Sequence, residues 1–251
     1  MFPEERHQHI VDQLERTGRV TVTDLAQRFG VTEDCIRKDL KQLAADGRCK
    51  RVYGGATKAE ASGERLVANR LAKFKPEKQE IARKALALIE PKQVIYLDIS
   101  STNLYLAQLI AASGTTCTVV SPMIDINQAL AASASVTAIC PGGAMHSELN
   151  GFVGSVAIEA VRRFRFELAF IGAAGIDVDE GQATTYDAED GLLKRTAIEC
   201  SGRSYLMCES RKLNAYGNFR FAGFSDFEAL ICDDDNAEAC GLVRKAELEV
   251  L

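Results

Sequence analysis

No run of eighteen apolar residues interrupts the 251-residue chain, and no basic-then-apolar leader opens it. The expectation is a cytoplasmic protein that neither spans a membrane nor is exported. Metal-binding spacings are missing too. The eight cysteines (35, 49, 117, 140, 200, 208, 232 and 240) form no C-x-x-C, and the histidines at 7, 9 and 146 form no i, i+4 pair. This excludes the usual zinc signatures, and neither a metal nor another cofactor is expected. Several cysteines close apolar runs (TCTVV, VTAIC, SYLMC, ALIC), which reads as buried, reduced thiols. Neither G-x-x-x-x-G-K-[ST] nor G-x-G-x-x-G occurs, so nucleotide-binding readings carry little weight.

What is present falls into two textures. Hydrophobic residues make up 47% of the chain, enough for a sizeable core at a length that allows two domains. Pro3 to Thr17 has the spacing of an amphipathic helix that buries Ile10, Val11 and Leu14. In Thr23 to Phe29, Leu25, Ala26 and Phe29 recur at helical spacing, with Thr23 or Asp24 able to cap. Gly30 supplies a turn, and Thr32 starts a new helix as its N-cap. In that helix, Glu33 to Ala45, Ile36, Leu40 and Leu43 make one apolar stripe, while Asp34, Arg37, Lys38 and Lys41 fall on roughly the opposite face. A short hairpin carrying Arg48, Lys50 and Arg51 follows and ends at Gly54-Gly55.

Residues 37–58 hold seven Lys or Arg against two acids, within a chain of net charge −5. Attraction to phosphate depends on local potential, so overall acidity does not argue against nucleic acid. A helix anchored on one face and cationic on the other suits a DNA major groove. The alternatives are a solvated helical hairpin or a protein-interaction module, and the basic hairpin following directly disfavours both.

Residues 59–75 lack periodicity and read as a linker between a module at 3–58 and a domain at 76–251. Beyond Pro76, short apolar runs alternate with helical patterns. Strands are expected at Gln93–Leu97, Thr116–Val120, Val136–Cys140, Phe166–Ile171, Ser204–Cys208, Ala229–Cys232 and Glu247–Val250. Helices are expected near Glu77–Ile89, Asn103–Ala112, Met123–Ala132, Val153–Arg163, Asp187–Cys200 and Asn236–Lys245. Such alternation predicts an α/β fold with a mostly parallel sheet.

Ligands of such sheets bind beyond the carboxyl ends of the strands. Four of these ends stand out. Asp98 precedes Ser100, Ser101 and Thr102, hydroxyls at a helix start suited to phosphate oxygens. Gly142 and Gly143 would let a ligand approach the backbone. Gly175 and Asp177 offer a small-residue turn with an acid for sugar hydroxyls. Arg211 and Lys212 supply positive charge, as does Lys194 on the helix after Asp187.

These residues carry a family resemblance. V-T-E-D-C-I-R-K-D-L-K-Q-L followed by R-V-Y-G-G-A resembles the N-terminal winged helix-turn-helix of DeoR-type bacterial transcriptional regulators. Thr32, Cys35 and Lys38 stand where the family usually shows serine, threonine and arginine; lysine lacks arginine's planar fork for guanine. E-K-x-x-I-A at Glu77–Ala82, the Asp98 loop, P-G-G, F-I-G-A-A-G-I-D and E-S-R-K extend the resemblance over essentially the whole chain. They look like the family's effector domain, which is similar in fold to ribose-5-phosphate isomerase and glucosamine-6-phosphate deaminase. Asp98, Ser100, Ser101 and Thr102 match its D-x-G-T-T loop. Gly142 and Gly143 match its glycine pair, Gly175 and Asp177 its G-I-D, Lys194 its helix lysine and Lys212 its D-S-S-K lysine. Ser100, Ser101, Glu209 and Arg211 depart from that pattern.

The resemblance implies a regulator, typically a repressor of a carbohydrate-use operon, that binds a double-stranded DNA operator and a phosphorylated sugar. The expected DNA contacts are Thr32, Arg37, Lys38, Lys41, Arg48, Lys50 and Arg51. Specific binders usually double such a module by twofold symmetry, so a homodimer or homotetramer is expected. The alternative is an enzyme, a sugar-phosphate isomerase or amino-sugar deaminase, using an acid among Asp98, Asp177, Glu189 and Asp190.

Overall fold

A computed structural model describes residues 3–46, 48–58, 73–233, 237–246 and 248–251. Most of the expected linker, residues 59–72, lies outside the described residues. The first unit is built from α1 (Pro3–Thr17), β1 (Arg19–Thr21), α2 (Val22–Phe29), α3 (Glu33–Ala45), β2 (Cys49–Val52) and β3 (Gly55–Lys58). Helix α2 is capped by Thr21, whose side chain accepts from the Asp24 N–H; neither Thr23 nor Asp24 plays that part. The cap therefore lies two residues before Thr23, directly at the end of β1. Gly30 adopts the left-handed conformation that ends α2, and Thr32 caps α3 by accepting from the Cys35 N–H.

The three strands form an antiparallel sheet in the order β1-β3-β2. Two glycines make its tip possible. Gly54 has φ +77°, and a Cβ on Gly55 would lie 2.0 Å from the Val20 carbonyl oxygen. Ile10, Leu14, Val20, Leu25, Ile36, Leu40, Leu43 and Ala56 form a core separate from that of the rest of the chain.

The second unit opens with α4 (Lys75–Leu86) and β4 (Val94–Leu97), followed by α5 (Ser101–Ser113), β5 (Cys117–Val120), α6 (Ile124–Ala131) and β6 (Val136–Ile139). Then come β7 (Ala144–His146), β8 (Gly151–Val153), α7 (Ser155–Val161), β9 (Phe166–Gly172), β10 (Gly175–Asp177), β11 (Gln182–Thr185) and α8 (Ala188–Glu199). The chain finishes with β12 (Ser201–Met207), β13 (Phe219–Gly223), β14 (Ala229–Ile231), α9 (Ala237–Lys245) and β15 (Glu249–Val250).

Seven strands form one sheet in the order β15-β14-β12-β9-β4-β5-β6, with every pairing parallel. Each of these strands lies within one of the expected segments or extends it by up to three residues. The inner strands β4, β5, β9 and β14 are buried along most of their length, which is why they read as apolar runs. From β4 the chain moves outward through β5 and β6, then returns to place β9 on β4's other side. The direction of winding therefore reverses between β4 and β9, and in sheets of this kind the crevice for a ligand lies at the carboxyl ends beside such a reversal.

Two small sheets lie outside this pattern. The hairpin β7-β8 and the antiparallel set β10-β11-β13 have no counterpart among the expected elements. The expected turn at Gly175–Asp177 is instead strand β10. All eight cysteines are free thiols, but Cys140 is exposed, so the buried-thiol expectation fails at that position. Burial raises the Cys208 thiol to about 12.

Candidate DNA-binding face and effector site

Ile36, Leu40 and Leu43 turn one side of α3 into the core. Arg37, Lys38 and Lys41 are all exposed, as the apolar stripe requires. The Arg37 guanidinium is held by Glu33 Oε2 at 2.5 Å and Asp34 Oδ1 at 2.8 Å, so DNA must compete with its own helix for it. Thr32 is exposed, its hydroxyl oxygen taken by the cap. On the hairpin, Arg51 pairs with Ala56 and Lys50 with Thr57 across β2-β3. Arg51 is exposed and Lys50 half-buried, while Arg48 donates to Gln8 Oε1 at 2.8 Å. At the tip Tyr53 is fully exposed, an aromatic side chain standing clear of the protein.

Asp39 shares the buried side of α3. Arg6 Nε donates to its Oδ2 at 2.6 Å, and Arg6 Nη2 donates to its Oδ1 at 3.1 Å. His7 Nε2 lies 3.0 Å from Oδ1. Burial opposes the charge on Asp39, but the bonds from Arg6 and His7 prevail and hold its pKa below the usual value. This triad ties α1 to α3. The signal in the sequence was Asp39 falling three residues after Ile36, on the apolar stripe.

At the crevice, three loops lie on adjacent strands: Asp98–Thr102 after β4, Gly172–Ala173 closing β9, and Glu209–Lys212 after β12. Asp98 is their hub. Its Oδ1 accepts from Asn103 Nδ2, while Oδ2 accepts from the Gly172 N–H at 3.0 Å and from Lys194 Nζ. Lys194, on α8, also lies 3.5 Å from Asp190, which accepts from Thr185 Oγ1 at 2.7 Å. Asp98 and Lys194 are thus buried against each other, so they brace the crevice from beneath. Burial first, then the charges of Asp98 and Asp190, raises the Tyr96 hydroxyl well above its ordinary value.

Ser100 caps α5 by accepting from the Asn103 N–H, and Ser101 and Thr102 are buried in the first turn. Gly172 is required because a Cβ there would sit 2.8 Å from Ser100 Cβ. Lys212 is partly exposed; its Nζ lies 2.7 Å from Glu209 Oε2 and donates to the Ala173 carbonyl at 3.2 Å. Glu209 is fully buried and faces three cations, with Arg211 at 3.3 Å and Lys78 at 3.9 Å as well as Lys212. Burial alone would raise its pKa, but Lys212, Arg211 and Lys78 lower it to about 2. Three positive groups meet this one carboxylate, and the buried Asp233 carboxylate beside it accepts from the Ser210 N–H at 2.6 Å and its hydroxyl at 2.8 Å.

The other expected residues lie elsewhere. Gly142 and Gly143 follow β6, two strands beyond β4 at the edge of the sheet. Both have positive φ, and a Cβ on Gly143 would lie 2.9 Å from Ala157 Cβ and from the Val153 carbonyl oxygen. Gly175 sits in β10, where a Cβ would lie 2.1 Å from the Ala215 carbonyl oxygen. The need for glycine there comes from the neighbouring chain. Asp177 is buried and accepts from the Glu180 N–H at 3.1 Å, stabilising the turn to β11.

A wing-bearing helix-turn-helix with an exposed cationic helix, joined to a parallel α/β unit with a strand-end crevice, defines a ligand-responsive DNA-binding regulator. Family comparison gives the finer assignment. Residues 6–61 match the DeoR-like helix-turn-helix domain and residues 73–234 the DeoR C-terminal sensor domain. The chain belongs to the DeoR family of transcriptional regulators. It is 30% identical over 236 residues to FruR of Bacillus subtilis (strain 168), an uncharacterised HTH-type transcriptional regulator, covering 93% of this chain and 92% of that one. It is 26% identical over 229 residues to the glycerol-3-phosphate regulon repressor of Escherichia coli (strain K12), covering 91% and 90%. Among solved structures, ribose 5-phosphate isomerase A of Methanocaldococcus jannaschii aligns with a TM-score of 0.40 and 13% identity over 54% of this chain and 53% of that one.

Among the described residues, no helix is long and apolar enough to cross a membrane, and no group of three His, Cys, Asp or Glu is arranged to hold a metal ion.

Proposed function

We propose that the protein represses a carbohydrate-use operon and that a phosphorylated sugar or related metabolite controls its grip on the operator. The observation that carries this reading is the pairing of an exposed Arg37-Lys38-Lys41 face with a partly exposed Lys212 and a Ser100-Ser101-Thr102 helix start at the strand ends where the winding of the sheet reverses. Helix α3 enters the major groove with these three side chains, and Thr32 meets the backbone at its start. Arg48, Lys50 and Arg51 on the wing grip phosphate. In the crevice, Ser100, Ser101, Thr102 and Lys212 receive the effector's phosphate, held in place by Asp98 and Lys194. Gly142 and Gly143, Gly175 and Asp177 shape its surroundings. The glycerol-3-phosphate regulon repressor supports a phosphorylated ligand, since its name joins repression to such a metabolite.

The state of two of the four candidate acids, Asp98 and Asp190, supports binding without turnover. Both oxygens of Asp98 already accept from buried donors, and Asp190 is shared between Thr185 and Lys194. Neither stands ready to move a proton on a sugar. The protein works as a homodimer or homotetramer in the cytoplasm. Val156 and Leu192, large apolar residues exposed on the sensor unit, line one cleft suited to such contact.

The test is anisotropy of a labelled DNA fragment from upstream of the protein's own gene, at low and high salt, with and without sugar phosphates. Tight binding that weakens steeply with salt and changes with one of the sugars is expected. Indifference to that fragment at low ionic strength, with and without the metabolites, would overturn the proposal.

A further inference from the structure

One short stretch of chain touches both the effector crevice and the DNA-binding module. It begins at Glu209, the buried carboxylate that holds Lys212, Arg211 and Lys78. Two of these cations also secure the chain entering the sensor unit. The Arg211 guanidinium lies 3.8 Å from the centre of the Phe74 ring, and Lys78 Nζ donates to the Lys73 carbonyl at 2.7 Å. Phe74 itself has φ +55°, a backbone state that a non-glycine residue adopts only under constraint.

Beyond Lys212 the same stretch is stapled to β10 and back to itself. The Asn214 N–H donates to the Ile176 carbonyl at 2.7 Å and the Ala215 N–H to the Lys212 carbonyl at 3.0 Å. It then meets the DNA-binding module. The Tyr216 ring lies beneath the Arg19 guanidinium at 5.2 Å, and a Cβ on Gly18 would lie 3.2 Å from the Asn214 carbonyl oxygen. Arg19 begins β1, which pairs with wing strand β3 through Arg19↔Thr57. Only a few residues of chain therefore separate Lys212 from Tyr216, whose ring faces the Arg19 guanidinium at the start of that sheet's edge strand.

We infer that Glu209–Tyr216 is the coupling element, in which an anionic ligand competes with Glu209 for Lys212 and thereby shifts the Tyr216–Arg19 contact that seats the DNA-binding module. The inference rests on the phosphate-sensing reading above and adds how that site reaches DNA. Arg19 and Tyr216 are positioning residues, since neither needs to touch ligand or DNA. The ligand acts through its different affinity for the two arrangements, as any such coupling requires.

The experiment uses full-length protein and inorganic phosphate, glycerol 3-phosphate, glucose 6-phosphate and fructose 1-phosphate as probes. The chain has no tryptophan, so Tyr216→Trp places a single emitter on the contact. A probe that raises the melting temperature should also shift that emission, and Lys212→Met should abolish both responses. In DNA binding, the same probe should change wild-type affinity by about tenfold or more, within the usual range of such couplings. Tyr216→Ala should keep the thermal shift, bind DNA without the probe as wild type does with it, and change less than about twofold when the probe is added. Tyr216→Phe, which keeps the ring, should respond like wild type. Unchanged indole emission in Tyr216→Trp beside an intact thermal shift would overturn the coupling, as would a fully responsive Tyr216→Ala. A Tyr216→Ala protein that loses the thermal shift would make Tyr216 part of the pocket and overturn it equally. If no probe moves the melting temperature or the emission, the phosphate-sensing reading itself fails.

Discussion

Replacing Asp39 with alanine should abolish DNA binding even though Asp39 faces away from the cationic surface. Arg6 and Asp39 are 5% and 7% exposed, and two short bonds join them between α1 and α3. Removing one partner leaves a buried guanidinium without its counter-charge, a change that costs about 3–5 kcal/mol. The module has a small core of its own, and domains of this size have a total stability of only about 5–15 kcal/mol, with small ones at the lower end. The loss should therefore leave α3 unfolded for a substantial share of the time. Amide hydrogen exchange resolves the effect by region, which matters because a two-unit chain does not unfold in one step. Protection of α1 and α3 should fall by about 10²- to 10³-fold or more while β4 and β9 keep theirs. Arg6→Met combined with Asp39→Leu should restore much of the protection, since apolar replacement of a buried pair is often neutral or stabilising. Unchanged protection of α3 in Asp39→Ala would refute the argument. It would mean that the ion pair adds nothing beyond what its desolvation costs.

Further outcomes follow from the same geometry. Arg37→Ala should lose about 1–3 kcal/mol of specific operator affinity with an unchanged circular dichroism spectrum, and unaltered affinity would remove α3 as the reading helix. The logarithm of DNA affinity should fall linearly with the logarithm of salt concentration, and Arg51→Ala should flatten that line by roughly one phosphate contact. Because the folded-state pKa of Glu209 is lowered to about 2, its stabilisation is complete above the ordinary value of 4.5 and is lost as pH falls towards 2. Glu209→Gln should accordingly lose stability at neutral pH and show a shallower acid limb in melting temperature against pH. Gly143→Ala, at φ +133° and facing the Val153 carbonyl, should lower sensor stability by about 1–3 kcal/mol in a thermal melt.

Much of this architecture is legible in the residues alone. The helices α1 and α3 announce themselves by an apolar stripe at helical period, and β4, β5, β9, β12 and β14 by apolar runs that end up buried. The left-handed Gly30 and the Thr32 cap follow from local rules that need only neighbouring residues. What escaped depends on distant partners or very short elements. Strands β7, β8 and β10 have three residues each, too few for alternation to show. The Arg6–Asp39 pair spans 33 positions, and nothing local distinguishes Asp39 from a solvated acid except its place on the stripe. At the crevice, Asp98, Lys194 and Lys212 were visible as residue types at strand ends. That Asp98 and Lys194 neutralise each other in the interior was not, because the contact bridges 96 positions. Gly175 reads in the sequence as part of a ligand-facing turn, whereas its need for glycine comes from Ala215, which arrives forty residues later.

The order in which the large sheet is assembled has a consequence for the protein's synthesis. Its central strand β9 pairs with β4 through Ile95↔Leu168, so the middle of the sheet cannot close until the ribosome has passed residue 168. The helix-turn-helix core, by contrast, draws on nothing beyond Ala56. Nascent chains acquire structure in the order they emerge. The DNA-binding module is thus finished while most of the sensor is still unmade, and the stretch from Glu209 to Tyr216 that touches it is translated later still.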